Sequence, residues 1–154
     1  MVAWVDSHCH VFMLDDPLGA VDRAINDGIE GMLVPGVDLD TSLQARQIAT
    51  KRPDHLLWAA GLHPHDAGRW DEERSRITAL ALDAAAVGEV GLDYYRNLSP
   101  QENQRRAFRD QVHLAADLGK PVIVHTRDSF ADVYEILAEA DLGEKAVLHC
   151  WTGG

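Results

Sequence analysis

The sequence is short of positive charge. Lysine and arginine total 14 against 25 aspartates and glutamates, giving a formal net charge of −11 over 154 residues. That balance disfavours wrapping duplex DNA through a basic face. It leaves a phosphate-bearing substrate open, because bound divalent ions reverse the potential locally. Long apolar runs are missing too. None approaches the roughly 20 residues needed to cross a bilayer, so no membrane partner is expected. The opening MVAWVDSHCH has no basic residue and no apolar core before a cleavage site, and it does not read as a signal peptide. Cysteines number two. Without a secretion signal they point to a reducing, cytoplasmic setting rather than a disulfide framework. No G-x-G-x-x-G follows the first apolar run, so dinucleotide binding has no support. No linker or low-complexity tract interrupts the chain, and residues 1–154 read as a single domain.

What is present is alternation. Short β-rich runs occur at WVDSHCH (4–10), GMLVPGV (31–37), LLWAAGLH (56–63), AAVGEVGLDY (85–94), PVIVHTR (121–127) and AVLHCWTG (146–153). Most are apolar on both faces, as in parallel strands buried between layers. Stretches of helical period lie between them. Residues 99–118 are the clearest, with Ser99 and Glu102 spaced as a capping box, Pro100 at the first position and Gly119 at the stop. Phe108, Val112, Ala115 and Ala116 form its apolar stripe. A second helix is expected at about 129–140, and weaker ones at 17–27, 41–51 and 72–83, with Thr41 and Gln44 as another candidate box. Six strands alternating with five helices predict an α/β fold with a parallel sheet, either doubly wound or a (β/α)₈ barrel.

The candidate chemistry sits at strand ends. His8 and His10 are two apart on the first strand, so a period of two puts both on one face and Cys9 on the other. Alone, this pair is weak. Glu89 lies in the fourth strand, His125 ends the fifth and His149 ends the sixth. In a parallel barrel those ends converge on one mouth. A histidine after Val-Ile-Val or Ala-Val-Leu needs a partner for its polar ring. A structural hydrogen bond would serve at one such site; four together favour a metal. Four imidazoles and a carboxylate could hold one or two divalent cations, with Glu89 bridging. Imidazole and carboxylate donors suit Mg, Mn, Zn or Co without choosing among them.

The stretches VDSHCH, GLHPHD (61–66), VGEVGLDYYRN (87–97), QRRAFRDQVHLAADLGKPVIVHTRD (104–128) and VLHCWTG (147–153) resemble, in order and spacing, the TatD-type metal-dependent deoxyribonucleases of the amidohydrolase-like TIM barrels. The resemblance spans nearly the whole chain. It implies a (β/α)₈ barrel, one or two divalent metals in its mouth, and hydrolysis of DNA phosphodiester bonds by a metal-activated water. It implies that His8, His10, Glu89, His125 and His149 hold the metals and that His63 lies near the substrate phosphate. His65 reads more simply as a loop cap. Arg127, two residues beyond His125, could hold a phosphate with its planar fork or pair with Asp128. Asp93 could orient a ligand histidine or cap a loop. Cys9 and Cys150 should face the helices as small apolar residues. Trp151 could stack on a base or serve strand packing, and His55 and His113 read as surface residues.

The chain departs from the resemblance at its end. A barrel of this type has eight strands and about 250 residues; six strands are read here. The eighth strand's aspartate, which in the family binds metal and handles the water's proton, has no counterpart, so no catalytic residue is assigned. The chain is expected to be the N-terminal portion of a metal-dependent hydrolase barrel, with little or no activity alone. Open sheet edges would invite self-association. Two other readings stay in view. One is a related barrel hydrolase acting on another ester or an amide, although such barrels often carry a modified lysine where this chain has Glu89. The other is a non-catalytic metal-binding fragment.

Overall fold

The computed structural model describes residues 3–152. The expected glycine loop at 153–154 lies outside them. Six strands form one sheet in the order of the chain. They are β1 (Trp4–Asp6), β2 (Ile29–Pro35), β3 (Leu56–Ala60), β4 (Ala86–Asp93), β5 (Val122–Arg127) and β6 (Ala146–His149). Every neighbouring pair is parallel. The connections carry five helices: α1 (Pro17–Asn26), α2 (Leu39–Ala49), α3 (Trp70–Asp83), α4 (Gln101–Leu118) and α5 (Phe130–Ala138). This curled parallel α/β sheet has six strands of the (β/α)₈-barrel type, one of the two architectures the alternation allowed and the one the resemblance implied. The sheet curls strongly. His8 follows β1 at one edge and His149 ends β6 at the other, yet their rings stack with centroids 3.7 Å apart.

The main cores lie outside the curl, between sheet and helices. One gathers Val34, Trp58, Trp70 and Ile77 under α1 to α3. The other gathers Val90, Leu92, Phe108, Val112 and Val124 under α4 and α5. All eight residues of β4 are buried, as a strand covered on both faces requires. The edge strands differ. β1 is exposed throughout, and Val147 and Leu148 of β6 are exposed as well. The inner face is apolar, with Val5, Leu33, Leu57, Ile123 and Val147 lining a cavity of about 480 Å³ that none of His8, His10, His125 and His149 lines.

Several local expectations need correction. β1 ends at Asp6, so His8 and His10 lie beyond it, and His10 caps a short 3-10 turn at Val11–Met13. Ser99 does not cap α4. Its hydroxyl is turned to the loop after β3, donating to the His65 carbonyl at 2.9 Å, and Pro100 occupies the cap position. The capping box of α2 is Asp38 with Thr41, not Thr41 with Gln44, which starts the helix two residues earlier. Gly119 closes α4 with φ 64°, as its sequence position suggested. Two features of α4 were not anticipated. Gln104 and Gln111, fully buried on the same face as Phe108, serve the backbone. Gln111 accepts from Leu62 N at 2.7 Å and donates to Leu62 O at 3.1 Å. Gln104 accepts from Asp93 N at 2.9 Å and donates to Ser99 O at 2.7 Å. Each amide satisfies groups left over where a strand ends.

Candidate metal centre

Glu89 is the hub of the strand-end cluster. It is buried near the middle of β4. Its Oε2 lies 3.2 Å from His8 Nε2 and 3.1 Å from His10 Nε2, and those two nitrogens are 3.0 Å apart. Its Oε1 lies 3.0 Å from His125 Nδ1 and 3.7 Å from His63 Nε2. Two sets of donors sit within mutual reach: His8, Glu89 and His149, and His63, Glu89 and His125. Glu89 belongs to both. Glu89, His63, His125 and His149 line a cleft of about 300 Å³ with His10, Val37 and His65.

The donors fit a divalent cation. Around a tetrahedral ion with bonds near 2.0–2.1 Å, neighbouring ligand atoms lie about 3.3 Å apart. The Nε2 and Oε2 atoms of His8, His10 and Glu89 have nearly that spacing. A shared proton can join only two of these three atoms at a time, whereas one cation accepts all three. His8 Nδ1 is buried with no hydrogen-bond partner among the described residues. His10 Nδ1 meets the Pro35 carbonyl at 3.1 Å, which fixes that ring with its other nitrogen turned to Glu89.

Electrostatics keep the site ready for a cation. Burial alone would raise the Glu89 pKa; hydrogen bonds from His10, His125 and His8 outweigh it and hold the carboxyl well below its usual range. Burial pushes His63 down to about 3, with Glu89 opposing and His125 and His65 assisting. His149 is also lowered, by burial and then by His8. A neutral imidazole keeps the lone pair a metal needs. The folded chain thus leaves His63 neutral, while the unfolded chain protonates it below about pH 6.5. Its contribution to stability is present above that pH and is lost as pH falls toward 3. In chelator, denaturant titration should give a chain about 1 kcal/mol less stable at pH 5.5 than at pH 7 from this residue alone. Equal stability at the two pH values would contradict the assignment.

Asp93 does both things its sequence position allowed. Its Oδ2 lies 2.8 Å from His65 Nε2 and 3.2 Å from His125 Nε2, and its Oδ1 accepts from Arg96 N at 2.8 Å. Burial would raise its pKa; the bonds from Arg96, His65 and His125 lower it. The loop cap expected at His65 falls to His63. His63 caps the 3-10 turn Pro64–Arg69 by accepting from His65 N at 3.2 Å, while also joining the second donor set; His65 reaches inward to Asp93. Arg127 does not pair with Asp128. Its guanidinium lies 3.9 Å above the Tyr95 ring, outside the donor sets. Cys9 packs toward the first core, as expected, and donates to the Leu33 carbonyl at 3.4 Å. Burial, with Asp6 adding to it, pushes its thiol up to about 12. No helix is long and apolar enough to cross a membrane among the described residues.

A curled parallel β/α sheet with imidazoles and carboxylates converging at its strand ends defines a class, the barrels that build a site in the mouth. Residues 5–154 match the family described as TatD related DNase, and the chain belongs to it. It is 43% identical over 138 residues to the 3′-5′ ssDNA/RNA exonuclease TatD of Citrobacter koseri, covering 86% of this chain and 52% of that protein. With the protein of the same description from Edwardsiella piscicida it shares 42% identity over 137 residues, 86% and 53% of the two chains. The chain therefore spans about half the length of the curated relatives it matches. Among solved structures, a TatD homologue from Escherichia coli K12 superimposes with a TM-score of 0.86 at 27% identity, over 98% of this chain and 61% of that one.

Proposed function

We propose that this chain carries the metal-binding mouth of a nuclease that hydrolyses phosphodiester bonds at the end of a single DNA strand. The observation that carries the reading is the convergence of His8, His10, His63, His125 and His149 on the buried carboxylate of Glu89. The names of the relatives support a single-stranded substrate with a 3′ end, and RNA as a further possibility for the same site. His8, His10, Glu89 and His149 would hold one divalent ion, and Glu89 with His125 the second, drawn from Mg, Mn, Zn or Co. Bound ions of this kind supply Lewis-acid polarisation of a phosphoryl oxygen and a water ionised near neutral pH.

The chain's own residues orient and exclude. Asp93 fixes the His125 ring and holds His65 beside the cleft. His63, kept neutral by burial, shares a donor set with Glu89 and His125 and would offer its ring to an ion there or to the substrate phosphate. Arg127, whose guanidinium lies over the Tyr95 ring, would meet the strand with a planar cationic face. A cytoplasmic setting suits the two free thiols.

Fluorescence anisotropy with a single-stranded oligonucleotide bearing a free 3′ end tests the reading. Affinity should rise with Mn²⁺, fall back with chelator, and lose its metal dependence in His125→Ala. Identical affinity with and without metal would overturn it.

A further inference from the structure

Exposed aromatic rings are unevenly placed on this molecule. Among the described residues Trp4, Tyr95, Phe130, Tyr134 and Trp151 are strongly exposed, and four of the five follow β4, β5 or β6. Tyr95 is two residues beyond Asp93, Arg127 two beyond His125, and Trp151 two beyond His149. These positions lie just beyond the C-terminal ends of three neighbouring strands, β4, β5 and β6, the strands that carry Glu89, His125 and His149. We propose that Tyr95, Arg127, Phe130 and Trp151 form a stacking platform for unpaired bases of single-stranded nucleic acid. The proposal rests on the nuclease reading above and adds the subsite that holds the bases.

The geometry suits flat ligands. The Arg127 guanidinium lies 3.9 Å over Tyr95, so a planar cation covers one face of a ring that is 63% exposed. Phe130 and Trp151 meet edge to face at 4.6 Å. In such a pair one ring keeps both faces and the other keeps one. Both are 46% exposed. The loops are tied together, since Asp128 N donates to Thr152 Oγ1 at 2.9 Å. A platform already held in place loses less freedom when a strand settles on it.

Charge also selects stacking. With a net charge of −11, neutralising phosphates cannot supply most of the affinity. The arginines of α4 are occupied: Arg105 pairs with Asp132, Arg106 with Asp71 and Arg109 with Glu139. Arg127 is turned to an aromatic face instead. Every base has a π-face, and stacking on aromatic or guanidinium planes binds single strands without regard to sequence. A duplex hides those faces in its own stack, so this platform favours strands that are unpaired.

The test compares a labelled phosphorothioate oligothymidylate with an abasic strand of equal length and charge, each with Mn²⁺ and in chelator. The oligothymidylate should bind more tightly in both conditions. Trp151→Ala and Tyr95→Ala should each weaken it by about fivefold to a hundredfold. Affinity for the abasic strand and for Mn²⁺ alone should not change. Equal affinity for the two strands, or equal losses on both, would overturn the platform. A change confined to sedimentation, with oligothymidylate binding intact, would also overturn it and assign these rings to contact with a second copy. Failure of Mn²⁺ to bind would sink the metal reading alone, because base preference in chelator is read separately.

Discussion

Glu89→Gln will weaken Mn²⁺ binding by at least about a hundredfold, measured by calorimetry. Groups that only orient a ligand cost about 10- to 100-fold when removed, and Glu89 faces the site directly. Its two oxygens approach His8, His10 and His125 within 3.0 to 3.2 Å. No other carboxylate belongs to either donor set. Glutamine keeps the shape and can still donate to neutral imidazoles, so the variant should fold. What it loses is the negative charge that attracts the cation and the second oxygen that joins the two sets. An affinity within about tenfold of the parent would remove Glu89 from the centre of the site.

Gly91→Ala should be among the most damaging substitutions available, costing about 4 kcal/mol or more in urea unfolding. Gly91 has φ +132° and pairs with His125 in the β4–β5 ladder. A methyl group there would be driven into the carbonyl oxygen of His125, a backbone atom with no room to retreat. Gly119→Ala is the informative contrast. That residue also has positive φ, 64°, but nothing lies within 4 Å of its added carbon. Its cost should be near 1 kcal/mol, the conformational penalty alone. Similar losses at both positions would show that backbone conformation, not crowding under His125, sets the requirement at Gly91.

The repeating pattern of the fold was legible because each strand and helix carries its own periodicity. β4 and β5 read as strands with apolar residues on both faces, and all but Arg127 at the end of β5 are buried. The convergence of His8, His10, Glu89, His125 and His149 was legible for a related reason, since parallel strands deliver their ends to one mouth. The details came from tertiary partners that no local pattern reveals. His8 and His10 meet Glu89 from a loop rather than through strand alternation, because β1 stops at Asp6. Ser99 abandons its cap to bond the His65 carbonyl. His65 turns inward because a buried Asp93 waits for it across the sheet. Gln104 and Gln111 look like surface positions in sequence, yet each answers a strand end many residues away. Arg127 carries charge, but its actual neighbour is a ring.

The stacking of His8 on His149 bears on the order in which the molecule assembles. Each strand pairs with its predecessor, so the sheet can grow unit by unit from local contacts, a topology that favours rapid folding. The first donor set breaks that rule, joining residues from opposite ends of the described chain. It is complete only when β6 has docked and the curl has closed. An ion held by that set would bind the arc with β6 docked in preference to one without it, and its binding energy would act as a latch on that docking.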